Sequence, residues 1–179
     1  MVFKTKKLPV AIDEEEFIKL VKEAKSEKQK LAFLLGFGAG MRVSEIVKLE
    51  PKDVDLKERK IFIHLGKGGK DRVVPVPKGF KEKHLELLPI GKKTGTHKGI
   101  QRRGLAKAFK EAARDSGLLA TKPDAHFHSL RHGFASQAVK NGIPIHFVRT
   151  LMGHSNISTT NVYLELNPTE ALKSYEELF

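Results

Sequence analysis

Two runs of β-forming residues separated by a short glycine- and lysine-rich segment limit the possible folds of this chain most strongly. Residues 61–65 (Ile-Phe-Ile-His-Leu) and 72–76 (Arg-Val-Val-Pro-Val) are rich in β-branched and aromatic side chains. Residues 66–71 between them, Gly-Lys-Gly-Gly-Lys-Asp, favour a hairpin connection. The sequence therefore predicts an antiparallel hairpin with a lysine-rich tip, to which residues 54–56 add a third short strand.

Helical patterns lie on both sides of this hairpin. Asp13 precedes an acidic first turn and is expected to cap one helix, and Ser26 is expected to cap a second. A short amphipathic helix is predicted at residues 42–49, where Pro51 ends it. Further helices are predicted at residues 78–88, 99–115, 129–141, 144–151, 156–165 and 169–178. We therefore expect a mainly α fold with a small antiparallel β-sheet, of the α+β class.

Composition narrows the class of protein. The chain has 179 residues, of which 40% are hydrophobic and 30% charged, which suits one ordinary domain with a core. It contains no cysteine, so disulfides, thiolate metal sites and a cysteine nucleophile are excluded. The sequence has no apolar run of bilayer length and no signal-peptide pattern, so we expect a cytoplasmic protein that makes no membrane contact.

The charge of the chain is positive and unevenly distributed. Its 33 Lys and Arg residues exceed its 21 Asp and Glu residues, which gives a formal net charge of +12. Residues 92–110, called the basic segment here, contain seven Lys and Arg residues and no acidic residue. This segregation favours a binding face for a polyanion over a merely soluble surface, and double-stranded DNA is the expected partner.

Several familiar site motifs are incomplete in this sequence. The glycines at 36, 38 and 40 do not form a GxGxxG pattern and follow a helical run, so dinucleotide binding is not expected. His126, His128 and His132 lack an HExxH pattern and an evident carboxylate partner. We therefore expect neither a cofactor nor a metal ion.

Two arginines are candidate ligands for an anion. His128 and Arg131 lie three residues apart at a predicted helix start, where both side chains project from one face and the helix dipole favours a phosphate. Arg42 follows an apolar, glycine-rich segment, where a permanent charge needs a partner or a ligand. Each arginine also has a structural alternative, an ion pair, with Glu45 as the candidate partner of Arg42.

Four segments taken together resemble the signature of the tyrosine recombinase family, in the order and at the separations of that family. They are residues 40–46 (Gly-Met-Arg-Val-Ser-Glu-Ile), the Gly-Lys-Gly-Gly-Lys hairpin, residues 128–132 (His-Ser-Leu-Arg-His), and residues 151–154 (Leu-Met-Gly-His) followed nine residues later by Tyr163. The resemblance is to Xer-type and integrase-type members and covers nearly the whole chain. Each segment alone is weak evidence, whereas the ordered set is specific.

The resemblance implies a catalytic domain that cleaves and rejoins DNA without metal, cofactor or ATP. Tyr163 would attack a phosphodiester and form a covalent 3′-phosphotyrosyl link. The other roles implied are transition-state stabilisation by Arg42, Arg131 and His154, general acid catalysis by Lys67, assisted proton transfer by His128, and orientation of these groups by Glu45 and His132. Lys70 and Arg72 share the hairpin with Lys67 and are the alternatives for the general acid. The alternatives are a type IB topoisomerase and a family member that only binds DNA.

The resemblance also implies a domain organisation and a DNA-bound assembly. Residues 1–10 are expected to be linker-like, residues 11–166 the catalytic domain and residues 167–179 a tail helix that packs on its own domain or on a neighbouring subunit. The family's N-terminal DNA-clamping domain is expected to be absent, and a tetramer is expected on DNA. The residues predicted to contact DNA are Lys70, Arg72, Lys92, Lys93, Lys98, Arg102, Arg103 and Lys107.

Overall fold

The structure, a computed structural model, describes residues 9–64 and 71–153. It confirms the predicted fold class, because helices occupy most of the regular structure in these ranges and the strands form a small antiparallel sheet. The helices are α1 (Glu14–Lys22), α2 (Glu27–Gly38), α3 (Val43–Ile46), α4 (Arg102–Asp115), α5 (Leu118–Thr121), α6 (His128–Lys140) and α7 (Ile145–Met152). Short 3₁₀ helices occupy Pro51–Asp53 and Glu82–Leu87.

The sheet confirms the predicted hairpin and its additional strand. Its strands are β1 (Val54–Asp55), β2 (Lys60–Ile63) and β3 (Arg72–Pro75), paired in that order and all antiparallel. Ile61 pairs with Val74, and Ile63 pairs with Arg72. These four side chains are buried, so they form the inner face of the hairpin. The tip, at residues 65–70, lies outside the described residues.

Local capping explains where the first two helices begin. The side chain of Asp13 accepts a hydrogen bond from the backbone N–H of Glu16 at 2.9 Å, and the Glu16 carboxylate accepts one from the N–H of Asp13 at 2.9 Å. Ser26 caps α2 by accepting a hydrogen bond from the N–H of Gln29 at 3.3 Å. Both predicted caps are therefore confirmed, and each satisfies a backbone donor that has no partner inside the helix.

Some elements differ from the prediction. The helix expected at residues 42–49 is regular only over α3, and residues 78–88 contain a 3₁₀ helix instead of an α-helix. Pro89 explains why this helix ends at Leu87, because the residue before a proline favours extended backbone, and Leu88 has a ψ of 147°. The single turn of α5 after Gly117 was not predicted. The helices predicted at residues 156–165 and 169–178 lie outside the described residues.

The apolar core forms two adjoining clusters. The larger contains the rings of Phe33, Phe109 and Phe127, which meet edge to face with centroids 5.9 to 6.1 Å apart. The smaller lies between α6 and α7 and includes Phe134 and Leu151. Since α7 packs against both α6 and β3, its C-terminal end lies beside both elements. No helix within residues 9–64 and 71–153 combines the length and apolar character needed to cross a membrane.

Candidate functional site

Three arginines converge on the C-terminal end of α7. The final carbonyl groups of an α-helix have no partner within the helix and carry partial negative charge. Here three consecutive carbonyls each accept a hydrogen bond from a different guanidinium group. The contacts are Arg72 Nε to Leu151 O at 2.9 Å, Arg131 Nη2 to Met152 O, and Arg42 Nη2 to Gly153 O at 3.1 Å. The helix end thus gathers side chains that are far apart in sequence.

Each arginine is delivered by a different element. Arg42 is the residue before α3, Arg72 begins β3 and Arg131 lies in the first turns of α6. Arg131 also donates from Nη1 to the carbonyl of Gly40. Gly40 has a φ of +62°, and a Cβ there would lie 2.5 Å from the ring of Phe134. Glycine is therefore required where the chain turns to present this carbonyl to Arg131.

The buried carboxylate of Glu45 links Arg42 to Arg72. Its Oε1 accepts hydrogen bonds from Arg72 Nη1 at 2.7 Å and Arg42 Nη1 at 3.1 Å. Its Oε2 accepts from Arg72 Nη2 at 2.8 Å and from the backbone N–H of Arg42 at 2.7 Å. Burial raises the pKa of Glu45, but the hydrogen bonds and charges of the two arginines outweigh burial and lower its pKa below the ordinary value. The ion pair considered for Arg42 from the sequence is thus present.

One carboxylate leaves an excess of positive charge among three guanidinium groups. Burial, reinforced by the charges of Arg42 and Arg72, lowers the pKa of Arg131 to about 10, so this arginine stays ionised near neutral pH. The side chain of Arg42 is 32% exposed, whereas that of Arg72 is 7% exposed. A guanidinium group has more N–H donors than these contacts use. The cluster can therefore bind an anion, with Arg42 as its most accessible member.

Histidines on and before α6 lie beside the arginines. The ring centroids of His128 and His132 are 5.9 Å apart, and those of His126 and His128 are 6.3 Å apart. Burial lowers the pKa of His128, and the neighbouring charge of Arg131 lowers it further. Burial also lowers the pKa of His132. His128 is therefore neutral near pH 7 and can accept a proton.

The described residues contain no cluster of three or more His, Asp or Glu side chains arranged to hold a metal ion. The arginines that act on the histidines of α6 are Arg131, which acts on both His128 and His132, and Arg42, which acts on His128. This setting suits proton transfer beside an anion better than it suits metal binding, because a bound divalent ion would add repulsion to the nearby guanidinium groups.

The basic segment forms an exposed surface before and along the start of α4. The side chains there that the sequence predicts to contact DNA are all exposed: Lys92, Lys93, Lys98, Arg102, Arg103 and Lys107. Lys92 and Arg102 line a groove together with Ser44 of α3. Because Arg42 immediately precedes α3, the basic surface borders the element that holds one of the clustered arginines.

Arg72 is buried, whereas a side chain that contacts DNA is expected to be exposed. Its guanidinium group is buried and bonds to Glu45 and Leu151 instead of facing solvent, which corrects the sequence-based expectation. The alternation of side chains in a strand could have predicted this buried position, because Arg72 shares a face with Val74, which is fully buried. The predicted roles of Lys67, Lys70, His154 and Tyr163 concern residues outside those that the structure describes.

Comparison with known proteins confirms the resemblance found in the four segments. Residues 11–170 match the phage integrase family. The chain is 31% identical over 182 residues to the tyrosine recombinase XerA of Pyrococcus horikoshii, and 32% identical over 193 residues to XerC of Lactobacillus delbrueckii subsp. bulgaricus. These alignments cover 96% and 97% of this chain, which spans 62% and 64% of the two relatives.

Solved structures show the same fold. The crystal structure of XerA recombinase matches with a TM-score of 0.66 at 26% identity, covering 97% of this chain and 66% of the other. A lambda integrase tetramer bound to a Holliday junction matches with a TM-score of 0.62 at 19% identity, covering 92% of this chain and 52% of the other. Together with the sequence match over most of its length, this agreement shows that the chain belongs to the phage integrase family.

Proposed function

We propose that this chain is the catalytic domain of a site-specific DNA recombinase that cleaves and rejoins strands through a covalent 3′-phosphotyrosyl intermediate. The observation that carries the proposal is the pair of guanidinium groups of Arg42 and Arg131, held on adjacent carbonyls near the neutral His128. Membership of the phage integrase family, and relatives named as tyrosine recombinases, support it.

In the proposed reaction, the phenolic oxygen of Tyr163 attacks a DNA phosphorus atom and the bond to the 5′ oxygen breaks. The tyrosine proton passes to His128, and the departing 5′ oxygen takes a proton from Lys67. Attack by a 5′-hydroxyl on the phosphotyrosyl link reverses these steps and releases the tyrosine. The energy of the phosphodiester bond is kept in the covalent link, so rejoining needs no ATP.

The arginine cluster would stabilise the additional negative charge of the five-coordinate phosphate. Arg42 and Arg131 supply donors that are already in place, and His154 would add a further one. Removing one preorganised donor of this kind typically slows an enzyme about 100- to 1000-fold. In this scheme fixed side-chain cations provide the charge stabilisation, so chelators are expected to leave the reaction unchanged.

The proposed partner is double-stranded DNA, bound along the exposed basic segment. Lysine and arginine contacts to phosphates provide affinity that depends on salt and carries little sequence information. We extend the proposal to self-association of several copies on DNA, by analogy with the lambda integrase tetramer described above.

A suicide-substrate experiment tests the proposed chemistry. The probe is a pool of duplexes with a randomised central sequence, each nicked a few nucleotides to the 3′ side of the cleaved bond. The short fragment that carries the new 5′-hydroxyl then diffuses away, which traps the covalent complex. In buffer with EDTA, a denaturing gel should show an adduct for the wild type and none for Tyr163→Phe. The chain has only two tyrosines, so Tyr175→Phe is a matched control that should keep the adduct.

Other outcomes would favour the alternatives. DNA binding in a gel shift without any adduct would support a family member that only binds DNA. Relaxation of a supercoiled plasmid with no preferred cleavage site in the pool would support a topoisomerase. An adduct that persists in Tyr163→Phe would contradict the assigned nucleophile.

A further inference from the structure

Arg72 has more interior contacts than a surface DNA ligand would need. Two of its nitrogens bond to both oxygens of Glu45, and its Nε bonds to Leu151 O at 2.9 Å. This geometry uses the planar fork of a guanidinium group, which a lysine cannot reproduce. The side chain therefore joins three separate elements, β3, α3 and the end of α7.

The lack of a side chain at Gly153 leaves room for the side chain of Arg72. A Cβ at Gly153 would lie 2.8 Å from Arg72 Cδ and 3.1 Å from Nε. Gly153 also has a φ of +61°, which glycine adopts readily at the end of a helix. The same residue accepts the hydrogen bond from Arg42, so Arg72 packs directly against the backbone that holds Arg42.

Arg72 shares an acceptor with Arg42, and another of its acceptors is adjacent in the chain to one held by Arg131. Glu45 Oε1 accepts from Arg72 and from Arg42, so Arg72 restrains the carboxylate that orients Arg42. Leu151 O, held by Arg72, is adjacent in the chain to Met152 O, which is held by Arg131. The charge of Arg72 also acts against that of Arg131, so its presence is not explained by favourable electrostatics with that residue.

We propose that Arg72 is a positioning residue of the DNA-cleavage site, which fixes the guanidinium groups of Arg42 and Arg131 through Glu45 and the end of α7 without touching DNA. This inference rests on the proposed function for its effect on the reaction. Its geometric part, the fixing of the two arginines, applies to the DNA-free protein as well.

The first test measures position without activity. The backbone N–H of Arg42 donates to Glu45 Oε2 at 2.7 Å, so its amide hydrogen exchange reports whether the carboxylate stays in place. In Arg72→Met, exchange of this amide should accelerate at least about tenfold relative to amides of α2, the rate change expected when one charge-assisted hydrogen bond is lost. Arg59→Met is the matched control, since Arg59 donates to Val76 O and Pro77 O beside the same sheet and makes no contact with Glu45.

The second test measures cleavage of a suicide duplex recovered from the randomised pool. At saturating DNA, Arg72→Met should form the adduct about 100-fold more slowly, the cost of misplaced catalytic groups, while its Kd for the duplex changes less than about threefold. Arg72→Lys, which keeps the charge and guards against misfolding of the methionine variant, should be intermediate. With a neutral methylphosphonate at the cleaved position the defect should shrink, because less charge needs stabilisation; a loss of folded protein would not respond to this change.

The outcomes separate this inference from the proposed function. Unchanged exchange at Arg42 in Arg72→Met would overturn the inference, and so would a cleavage rate equal to that of Arg59→Met. A parallel loss of DNA affinity and a smaller salt dependence would also overturn it, in favour of a direct DNA contact. If the wild type forms no adduct, the proposed function fails, and the exchange measurement still decides whether Arg72 fixes Glu45 and, through it, Arg42.

Discussion

Replacing Glu45 with glutamine tests whether the arginine cluster depends on its buried carboxylate. The Glu45 side chain is 6% exposed and accepts four hydrogen bonds from Arg42 and Arg72. In Glu45→Gln, the amide NH₂ group replaces one acceptor oxygen with a donor that faces guanidinium N–H groups. The negative charge is lost as well, so the guanidinium groups of Arg42, Arg72 and Arg131 repel one another without compensation.

The magnitude follows from the burial of the pair. Removing one partner of a buried ion pair costs about 3–5 kcal/mol, because the other charge is left uncompensated in the interior. Partial exposure of Arg42 places the expectation near the lower end, about 3 kcal/mol in the free energy of unfolding. For a chain of this length, this corresponds to a fall in Tm of about 6–12 °C. Urea unfolding at pH 7.5, with the slope compared between variants, measures the change.

Glu111→Gln is the control for this experiment. Glu111 pairs with Lys25 at 3.0 Å on the surface, where side-chain exposures are 31% and 62%, so its loss should be barely measurable. A Glu45→Gln variant that unfolds at the same urea concentration as Glu111→Gln would refute the view that Glu45 holds the cluster together. The same variant should also lose most of its adduct formation, because Arg42 is no longer oriented.

Three further predictions concern other parts of the molecule. His128 and His132 have lowered pKa values in the fold, so their contribution to stability is complete above the unfolded pKa of about 6.5 and is lost as the pH falls through the lowered values. The free energy of unfolding of His128→Asn should therefore fall less between pH 7 and pH 5 than that of the wild type. Lys28 is 1% exposed and donates to the carbonyls of Pro89 and Lys92, so Lys28→Met should lower the free energy of unfolding, measured in urea, by about 1–3 kcal/mol. Arg103→Ala should reduce the slope of log K against log salt by about 0.9 in a DNA-binding titration, whereas Lys19→Ala on α1 should leave it unchanged.

The sequence was sufficient where short-range physical chemistry determines structure. The caps at Asp13 and Ser26, the hairpin and the helix that carries His128 and Arg131 all follow from residues close together in the chain. The grouping of Arg42 with Glu45 also follows from local spacing, since they lie three residues apart around the start of α3.

Contacts between distant residues required the structure. The bond from Arg42 to Gly153 spans 111 positions, and that from Arg72 to Leu151 spans 79. No local pattern shows that the end of α7 gathers three guanidinium groups. The basic character of Arg72 and its place in the hairpin predict a contact with DNA, although its alternation with the buried Val74 indicates an inward position.

The most direct test of the central claim is the identity of the amino acid joined to DNA. The covalent complex formed in EDTA would be digested with nuclease and trypsin and analysed by mass spectrometry. Trypsin cleaves after Arg149 and Lys173, so Tyr163 and Tyr175 fall in different peptides. The account predicts a nucleotide attached through its 3′-phosphate to the peptide of residues 150–173, at Tyr163. A nucleotide on the peptide of residues 174–179, a link through a 5′-phosphate, or no modified peptide from a cleaved duplex would contradict it.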